Sequence, residues 1–170
     1  MTVPEMEDAL EGMVVLVDTR EQDTPALRRR IAAFGPWERE KLDAGDYSAS
    51  FPLPDGSLFR LPVAVERKMS FDELCACYCR ERKRFRAEFD RARAAGIKLY
   101  LLVEGASWEG AYAGAYRSRM APKSLIGSLL AWLARYGCQL IFCERYTTGR
   151  LIRDILYREG REALMGMVDG

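Results

Sequence analysis

The sequence predicts an α/β fold in which a central mixed β-sheet is flanked by helices. Three short apolar runs, at 13–18, 98–105 and 138–144, are typical of buried strands. Helical patterns separate them along the chain, as expected for strands joined by helical crossovers. A Pro-Asp-Gly turn at 54–56 joins two further extended segments, and this hairpin makes the predicted sheet mixed.

The first half of the chain supplies a helix and the hairpin. The helix begins after the capping residue Thr24, has Pro25 at its first position and is closed by Gly35. The hairpin arms are predicted at 37–51 and 57–68, on either side of the Pro-Asp-Gly turn.

Helical patterns dominate the second half of the chain. A helical region covers 71–96, and a Gly- and Tyr-rich loop at 105–122 leads into an amphipathic helix at 122–136. A last helix covers 147–164. We see no internal repeat and no linker that would divide the chain.

Length and composition narrow the classes of protein. The chain has 170 residues, which suffices for one well-packed domain. We expect a flexible leader at 1–12, a single domain at 13–160 and a C-terminal tail at 161–170. The sequence contains no histidine, which excludes Ser-His and Cys-His catalysis and histidine metal ligands. Catalysis therefore has to rest on carboxylates, lysine, arginine, tyrosine, cysteine or a metal held by oxygen.

The sequence also bears on compartment. No apolar run approaches the roughly 20 residues that a membrane-spanning helix needs, and the acidic N-terminal segment lacks the pattern of a secretory signal. The 5 cysteines are odd in number, and three of them are crowded together. We therefore predict reduced thiols and a cytoplasmic protein.

The end of one predicted strand carries charges that can form a metal site. Glu66 and Lys68 lie on the same face, because alternate side chains of a strand point the same way. The hairpin register places Asp46 opposite Glu66 within a residue or two, and cross-strand Cβ atoms are about 5 Å apart. Two carboxylates that close need a shared cation or a proton. We therefore expect a hard divalent cation at Asp46 and Glu66, with Lys68 orienting a water molecule or balancing phosphate charge.

A second charged group follows the first predicted strand. Asp18 ends that strand, and Arg20 and Glu21 lie in the next turn. Ligands of α/β sheets gather at the carboxyl ends of strands. Asp18 and Glu21 are therefore candidates for a second metal site or an outer shell, and Arg20 is a candidate phosphate clamp.

These residues add up to a family resemblance. VDTRE at 17–21, GDY at 45–47 and ERKMSFD at 66–72 resemble the nuclease motif of the XPF-type structure-specific DNA endonucleases, members of the PD-(D/E)xK superfamily. That motif reads Gly-Asp, then Glu-Arg-Lys, then three residues and Asp. The segments 98–105 and 124–144 are similar to the family's strand ending in Glu-Gly and to its closing helix and strand.

The resemblance extends over 14–156 and implies a restriction-endonuclease-like fold with an Mg²⁺-dependent endonuclease activity, in which Mn²⁺ substitutes. Asp46, Glu66 and Lys68 fill the slots of the PD-(D/E)xK motif. The expected catalytic residues are Asp18, Arg20, Glu21, Asp46, Glu66, Arg67, Lys68 and Asp72. The expected metal ligands are Asp46 and Glu66, assisted by Asp18 and Glu21.

Two of these residues have alternative explanations. Arg67 points away from Glu66 and Lys68 in an ideal strand, so we expect it either to pair with Asp72 or to contact DNA. Asp72 is also explained as a helix N-terminal charge favoured by the helix dipole.

Two basic segments are predicted to contact DNA. The alternative is that they are ordinary solvent-exposed surface. One follows the ERK motif, and the other is the Gly- and Tyr-rich loop, which has no acid between Ala111 and Lys123. Their candidate DNA-binding residues are Arg80, Arg82, Arg84, Arg117, Arg119 and Lys123. Cys75, Cys77 and Cys79 lie nearby, and we interpret them as small buried helix residues in preference to zinc ligands.

The predicted function is cleavage of branched DNA in repair, recombination or replication. In overall make-up the chain is similar to a stand-alone bacterial or phage form of the nuclease domain, so the expected location is the cytoplasm of a bacterial or phage-infected cell. The family dimerises through its last helices, which implies a homodimer here. Two alternatives stay open: a non-catalytic DNA-binding subunit, and a nuclease for RNA or plain duplex.

Overall fold

The structure is a computed structural model and describes residues 1–168. The strands are β1 Val14–Asp18, β2 Trp37–Glu40, β3 Tyr47–Pro52, β4 Leu58–Arg60, β5 Val63–Lys68, β6 Lys98–Glu104 and β7 Gln139–Cys143. The helices are α1 Val3–Glu11, α2 Pro25–Ile31, α3 Phe71–Cys79, α4 Arg82–Ala94, α5 Trp108–Ala113, α6 Pro122–Tyr136 and α7 Thr148–Met165.

The strands follow the order β2-β1-β3-β5-β6-β7, and β4 pairs with β3. β2 and β7 run parallel to their neighbours β1 and β6. β3 runs antiparallel to both β1 and β4. The prediction of an α/β fold with a central mixed sheet is therefore confirmed. No helix within the described residues is long and apolar enough to cross a membrane.

The described chain divides into two compact units. The first unit comprises Met1–Leu42, Asp46–Ala64 and the described residues after Thr148. The second unit comprises Asp43–Gly45 and Val65–Thr148.

The first unit is built around the fully buried side chains of β1 and β3. Val15, Val17 and Phe51 have no solvent exposure. Helix α7 passes so close to Phe51 that a Cβ on Gly160 would lie 2.1 Å from the ring. This contact accounts for a glycine inside a helix, where it is otherwise unfavourable.

The N-terminal segment differs from the expected loose leader, because residues 3–11 form helix α1. Thr2 caps this helix and accepts a hydrogen bond from the Glu5 main chain, while the Glu5 carboxylate accepts one from the Thr2 main chain. That reciprocal pair satisfies two N–H groups that would otherwise lack partners. Met6, Ala9 and Leu10 are buried on one face, which holds the helix in place. At the other end, residues 169–170 of the expected tail lie outside the described residues.

Three further elements differ from the sequence prediction. The long first hairpin arm divides into β2, parallel to β1, and β3, which alone pairs with β4. The predicted helical region divides into α3 and α4, because the main-chain N–H groups of Arg80 and Glu81 both bond to the Ala76 carbonyl. The Gly- and Tyr-rich loop contains the short helix α5, whose first turn is capped by the Ser107 hydroxyl.

The second unit has an aromatic core that fixes α4 and α6. Trp132 of α6 is fully buried and stacks on Phe85 of α4, with ring centroids 5.7 Å apart. Phe89 and Tyr78 meet the same indole edge-on. Burying several aromatic rings in one cluster contributes strongly to stability, so these helices are firmly positioned. α4 in turn carries residues of the candidate site.

Candidate active site

Asp18, in the first unit, is a buried carboxylate with a full set of hydrogen bonds. It ends β1 with only 1% of its surface exposed. Its Oδ1 accepts from Arg20 N at 2.8 Å and Arg20 Nε at 2.6 Å. Its Oδ2 accepts from Leu42 N at 2.8 Å and Arg20 Nη2 at 3.2 Å. Burial opposes ionisation, but these donors outweigh it and hold the pKa of Asp18 below its usual value.

Arg20, the candidate phosphate clamp, forks onto Asp18 while its own side chain stays about half exposed. This arrangement neutralises the buried carboxylate and places the Arg20 side chain at the surface beside the end of β1.

Glu21 belongs to a second hydrogen-bonded group in the same unit. The Tyr47 hydroxyl donates to Glu21 Oε2 at 2.8 Å, and Arg30 Nε donates to that hydroxyl at 3.0 Å. Arg30 Nη2 also reaches Glu21 Oε2 at 3.3 Å. Arg30 and Tyr47 are buried, and sequence reasoning missed both as partners of Glu21.

Asp46 follows the motif glycine and is half-buried. Its main-chain carbonyl accepts a hydrogen bond from Asp18 N at 2.9 Å. That bond ties the Gly-Asp pair of the motif to the end of β1.

Glu66 and Lys68 form the buried ion pair of the second unit. They lie on one face of β5, and Lys68 Nζ donates to Glu66 Oε1 at 2.6 Å. Glu66 is 3% exposed and Lys68 is 9% exposed. The ammonium also lies 5.2 Å from the centre of the Phe85 ring and 3.9 Å from Glu73. The expected convergence of Glu66 and Lys68 is therefore present.

The second oxygen of Glu66 has a different environment. Glu66 Oε2 is buried and accepts no hydrogen bond from a donor in the described structure, and the Glu88 carboxyl group lies within hydrogen-bonding reach of Glu66. Burial raises the pKa of Glu66 to about 7; Lys68 opposes the rise, and Glu88 adds to it. A buried acceptor without a donor is costly in free energy, and it is a site that a cation or a proton would satisfy.

Glu88 is a neighbour of Glu66 that the sequence analysis did not single out. It lies on α4, and its Oε1 accepts a hydrogen bond from Gly45 N at 3.1 Å. Gly45 directly precedes Asp46 in the Gly-Asp pair of the motif. Glu88 thus lies close to Glu66, and it also holds Gly45, the residue that precedes Asp46. The signal in the sequence is its place beside the apolar stripe of Phe85, Phe89 and Ala92.

Arg67 points to the other face of β5, where it meets a buried acid. Its Nη1 donates to Glu104 Oε2 at 3.1 Å, at the end of β6. The Thr148 hydroxyl donates to Glu104 Oε1 at 2.7 Å. Arg67 is therefore held by Glu104 at the end of β6. The sequence analysis had considered Asp72 and DNA as its partners.

Asp72 lies in the first turn of α3 and receives three hydrogen bonds from one loop. Its Oδ1 accepts from Arg117 N at 2.8 Å and from Ser118 N at 2.7 Å. Its Oδ2 accepts from Arg117 Nε at 3.3 Å. Burial would raise the pKa of Asp72, but these donors hold it below the usual value.

The predicted DNA-binding side chains are exposed. Arg80, Arg82 and Arg84 line a surface pocket with Lys83 and Arg86 at the start of α4. Arg82 also lies over the Trp132 ring at 5.5 Å, and Arg84 pairs with Glu81. Arg119 and Lys123 are exposed in the second segment, and 93% of the Arg117 side chain is accessible.

The expectation that the three crowded cysteines are small buried helix residues holds for two of them. Cys75 and Cys77 are buried and Cys79 is exposed. Within residues 1–168, no three acidic or cysteine side chains lie close enough to enclose a metal. Mg²⁺ commonly takes only one or two carboxylates and completes its shell with water and phosphate. The buried Glu66 oxygen that lacks a donor is a ligand of the kind that such an ion prefers.

The sequence matches the ERCC4 domain over residues 17–154. The chain belongs to the ERCC4 domain family. This assignment confirms the resemblance to the XPF-type endonucleases, and it supports a nuclease that acts on DNA. No curated protein matches the chain.

Solved structures of XPF from Aeropyrum pernix have the same fold. One superimposes with a TM-score of 0.59 at 23% identity, and it covers 84% of this chain and 64% of that chain. Another, a complex with DNA, gives a TM-score of 0.60 at 23% identity, covering 88% of this chain and 66% of that chain. The protein thus spans slightly less than two thirds of those structures.

Proposed function

We propose that this protein is a divalent-metal-dependent endonuclease that hydrolyses phosphodiester bonds in branched DNA, such as flaps, forks or junctions. The observation that carries the proposal is the buried Glu66 carboxylate, which has Lys68 at one oxygen and no donor at the other. It sits inside the ERK motif of a family of nucleases.

Glu66 would hold the metal, and the motif supplies Asp46 as the second carboxylate. Asp18 and Glu21 would assist from the end of β1. Mg²⁺ or Mn²⁺ bound there would supply charge to stabilise the phosphorane-like transition state and to activate the attacking water. Such a role requires a carboxylate that gains by binding a cation, and Glu66 has that property because its second oxygen lacks a donor.

Lys68 would orient the nucleophilic water and offset charge on the phosphate. Its ammonium is held between Glu66, Glu73 and the Phe85 ring, so its position is defined before substrate arrives. Preorganised charge is worth more than charge that must move into place during the reaction. Arg20 would steady the phosphate from the end of β1, whereas Arg67 pairs with Glu104 on the other face of β5 and takes no part in this step.

DNA is the proposed partner because exposed basic residues follow the motif and line the surface at the start of α4. A related archaeal XPF has been solved in complex with DNA. Clustered arginines bind phosphate backbones without regard to sequence, which suits a nuclease that reads DNA shape. We assign repair, recombination or replication, in the cytoplasm of a bacterial or phage-infected cell, as the setting.

A homodimer formed through the C-terminal helices is part of the proposal. Leu130 lies on α6 with 49% of its surface exposed, although the opposite face of the helix is buried. A single exposed leucine is common on protein surfaces, so the proposed dimer rests on the family resemblance, and Leu130 is a residue that such an interface would cover. Light scattering at micromolar concentration tests this assignment, and a monomer mass would contradict it.

The proposed activity is tested with labelled flap, fork, Holliday-junction, duplex and single-stranded DNA, and with RNA, in Mg²⁺, Mn²⁺ or EDTA. We expect metal-dependent cutting of branched DNA that is lost in Glu66→Ala and Lys68→Ala. Glu7→Ala, which removes an exposed acid of α1, is the control. Binding of DNA without cutting in either metal would contradict the nuclease and support a DNA-binding subunit. Preference for RNA or plain duplex would contradict the assigned substrate.

A further inference from the structure

The loop that follows α5 is folded by its own contacts and is strongly basic. We call residues 114–121 the basic loop. Its Tyr116 hydroxyl donates to the Met120 carbonyl at 2.8 Å, and Met120 N donates to the Ser118 hydroxyl at 3.2 Å. The loop carries Arg117 and Arg119 and contains no acidic residue.

Helix α3 holds the basic loop at two adjacent positions. The Tyr116 ring meets the buried Phe71 ring edge-on, with centroids 6.0 Å apart. The next residue, Asp72, accepts hydrogen bonds from the Arg117 and Ser118 main chain. A carboxylate that accepts several N–H groups fixes a turn far more firmly than the ring contact alone.

The position of the three donors distinguishes Asp72 from a metal ligand. Both main-chain N–H groups point at Oδ1, and the Arg117 guanidinium points at Oδ2. Both oxygens are therefore already engaged by the loop. The Arg117 side chain remains almost fully accessible, so its charge is displayed to solvent while its backbone is fixed.

We propose that Asp72 is a positioning residue, which holds the basic loop so that Arg117 and Arg119 meet the phosphate backbone of DNA. This inference rests on the proposed DNA-cleaving function and assigns Asp72 a part in substrate binding. Asp72 then belongs to the motif because it orders a phosphate-binding loop. Its carboxylate acts through the main chain of residues 117 and 118.

Substitutions at Asp72 separate this role from a catalytic one. Asp72→Ala removes the anchor, and we expect DNA to bind about tenfold more weakly, equivalent to about 1.4 kcal/mol. Loss of a negative charge would by itself strengthen binding to DNA, so weaker binding reports the loop. Asp72→Asn keeps an oxygen that accepts both main-chain bonds, and it should restore most of the affinity. Glu109→Ala, the same charge change on α5, is the matched control and should not weaken binding.

The measurements are DNA affinity by fluorescence anisotropy in EDTA and the single-turnover cleavage rate at saturating DNA. For Asp72→Ala we expect the affinity to fall more than the rate, the reverse of Glu66→Ala. The slope of log affinity against log salt should decrease by about 1 to 2, the loss of one or two phosphate contacts. Arg117→Ala retains both main-chain bonds and should weaken binding less than Asp72→Ala.

Several results would overturn the inference. The first is an Asp72→Asn variant that binds DNA as weakly as Asp72→Ala. The second is an Asp72→Ala variant that binds DNA with native affinity but no longer cleaves it. The third is wild-type protein that does not bind DNA. If thermal unfolding shows that Asp72→Ala does not fold, Asp72→Asn decides. Native affinity in that variant supports positioning, whereas a rate as low as that of Glu66→Ala overturns it. Wild-type protein that binds without cutting overturns only the proposed nuclease activity.

Discussion

Asp18 in the first unit and Glu66 in the second are both buried carboxylates on strands, yet their surroundings differ. Asp18 accepts hydrogen bonds from Arg20 and Leu42 at both oxygens. Glu66 has Lys68 at one oxygen and no donor at the other, and the Glu88 carboxyl group lies close to it. Accordingly the pKa of Asp18 lies below its usual value and that of Glu66 is raised to about 7.

The two carboxylates differ in how their ionised forms affect the stability of the native state. A carboxylate surrounded by donors stabilises the native state in its ionised form. A buried carboxylate short of donors destabilises that state until a cation or proton arrives. Active sites commonly contain acids of the second kind, because a site built to bind a cation is incomplete without it.

The largest expected effect is the loss of cleavage in Glu66→Gln. We expect the cleavage rate to fall by at least about 100-fold, because the amide is a much poorer ligand for a divalent cation. In EDTA, the free energy of unfolding should change less than in Asp18→Asn, because the amide relieves the oxygen that lacks a donor but leaves Lys68 with a neutral partner. Rate measurements and urea denaturation check both parts. A variant that cuts normally, or that is strongly destabilised without metal, would contradict the comparison.

Asp18→Asn should have the larger effect on stability and destabilise the fold. Donors face both carboxylate oxygens, so either orientation of the amide places an NH₂ group against a donor. We expect a loss of about 2 to 3 kcal/mol in the free energy of unfolding, reduced from a fully buried pair because Arg20 is partly exposed. Urea denaturation measures it. Asp23→Asn, in an exposed pair with Arg28, is the control and should change stability little.

The pH dependence of stability sharpens the same contrast. Glu66 has a folded pKa of about 7 against its usual value of 4.5, so between those values the native state holds more protons than the unfolded state. Its contribution is therefore fully present below about pH 4.5 and is lost as pH rises towards 7. In EDTA, wild-type stability should fall across that window relative to Glu66→Gln, by roughly 1 to 3 kcal/mol. A constant difference between the two proteins would contradict the raised pKa.

Local patterns in the sequence were sufficient to predict β1, β6 and β7, the mixed sheet and the convergence of Glu66 and Lys68. Both residues lie on one strand, so the period of the strand alone fixes their common face. The cap at Thr24 and the following Pro25 likewise located α2, since its N-terminus depends on neighbouring residues. Features set by residues a few positions apart were therefore accessible without a structure.

The partners of the site residues depend on contacts that are distant in sequence. Glu104 is 37 residues from Arg67, and Glu88 is 43 residues from Gly45. Glu88 lies in a run dominated by arginines, where most side chains are exposed, and only helix packing against the aromatic cluster turns it inward. The same is true of Asp72, whose loop partners are 45 and 46 residues away.

The smallest expected effect comes from substitutions of Glu88. This residue both repels the Glu66 carboxylate and accepts a hydrogen bond from Gly45 N. Glu88→Gln keeps an oxygen for Gly45 N but removes the charge that adds to the pKa of Glu66. The pH window of Glu66-linked stability should then end lower, by less than about one pH unit, because burial remains the main cause. Glu88→Ala should show the same pH shift and, in addition, lose stability through the unpaired Gly45 N–H. Urea denaturation of both variants from pH 4 to 8 in EDTA distinguishes the two effects. If the pH range of Glu66-linked stability is unchanged in both variants, burial alone raises the pKa of Glu66. Repulsion by Glu88 would then play no part, and Glu66 and Asp18 would differ only in their hydrogen bonds.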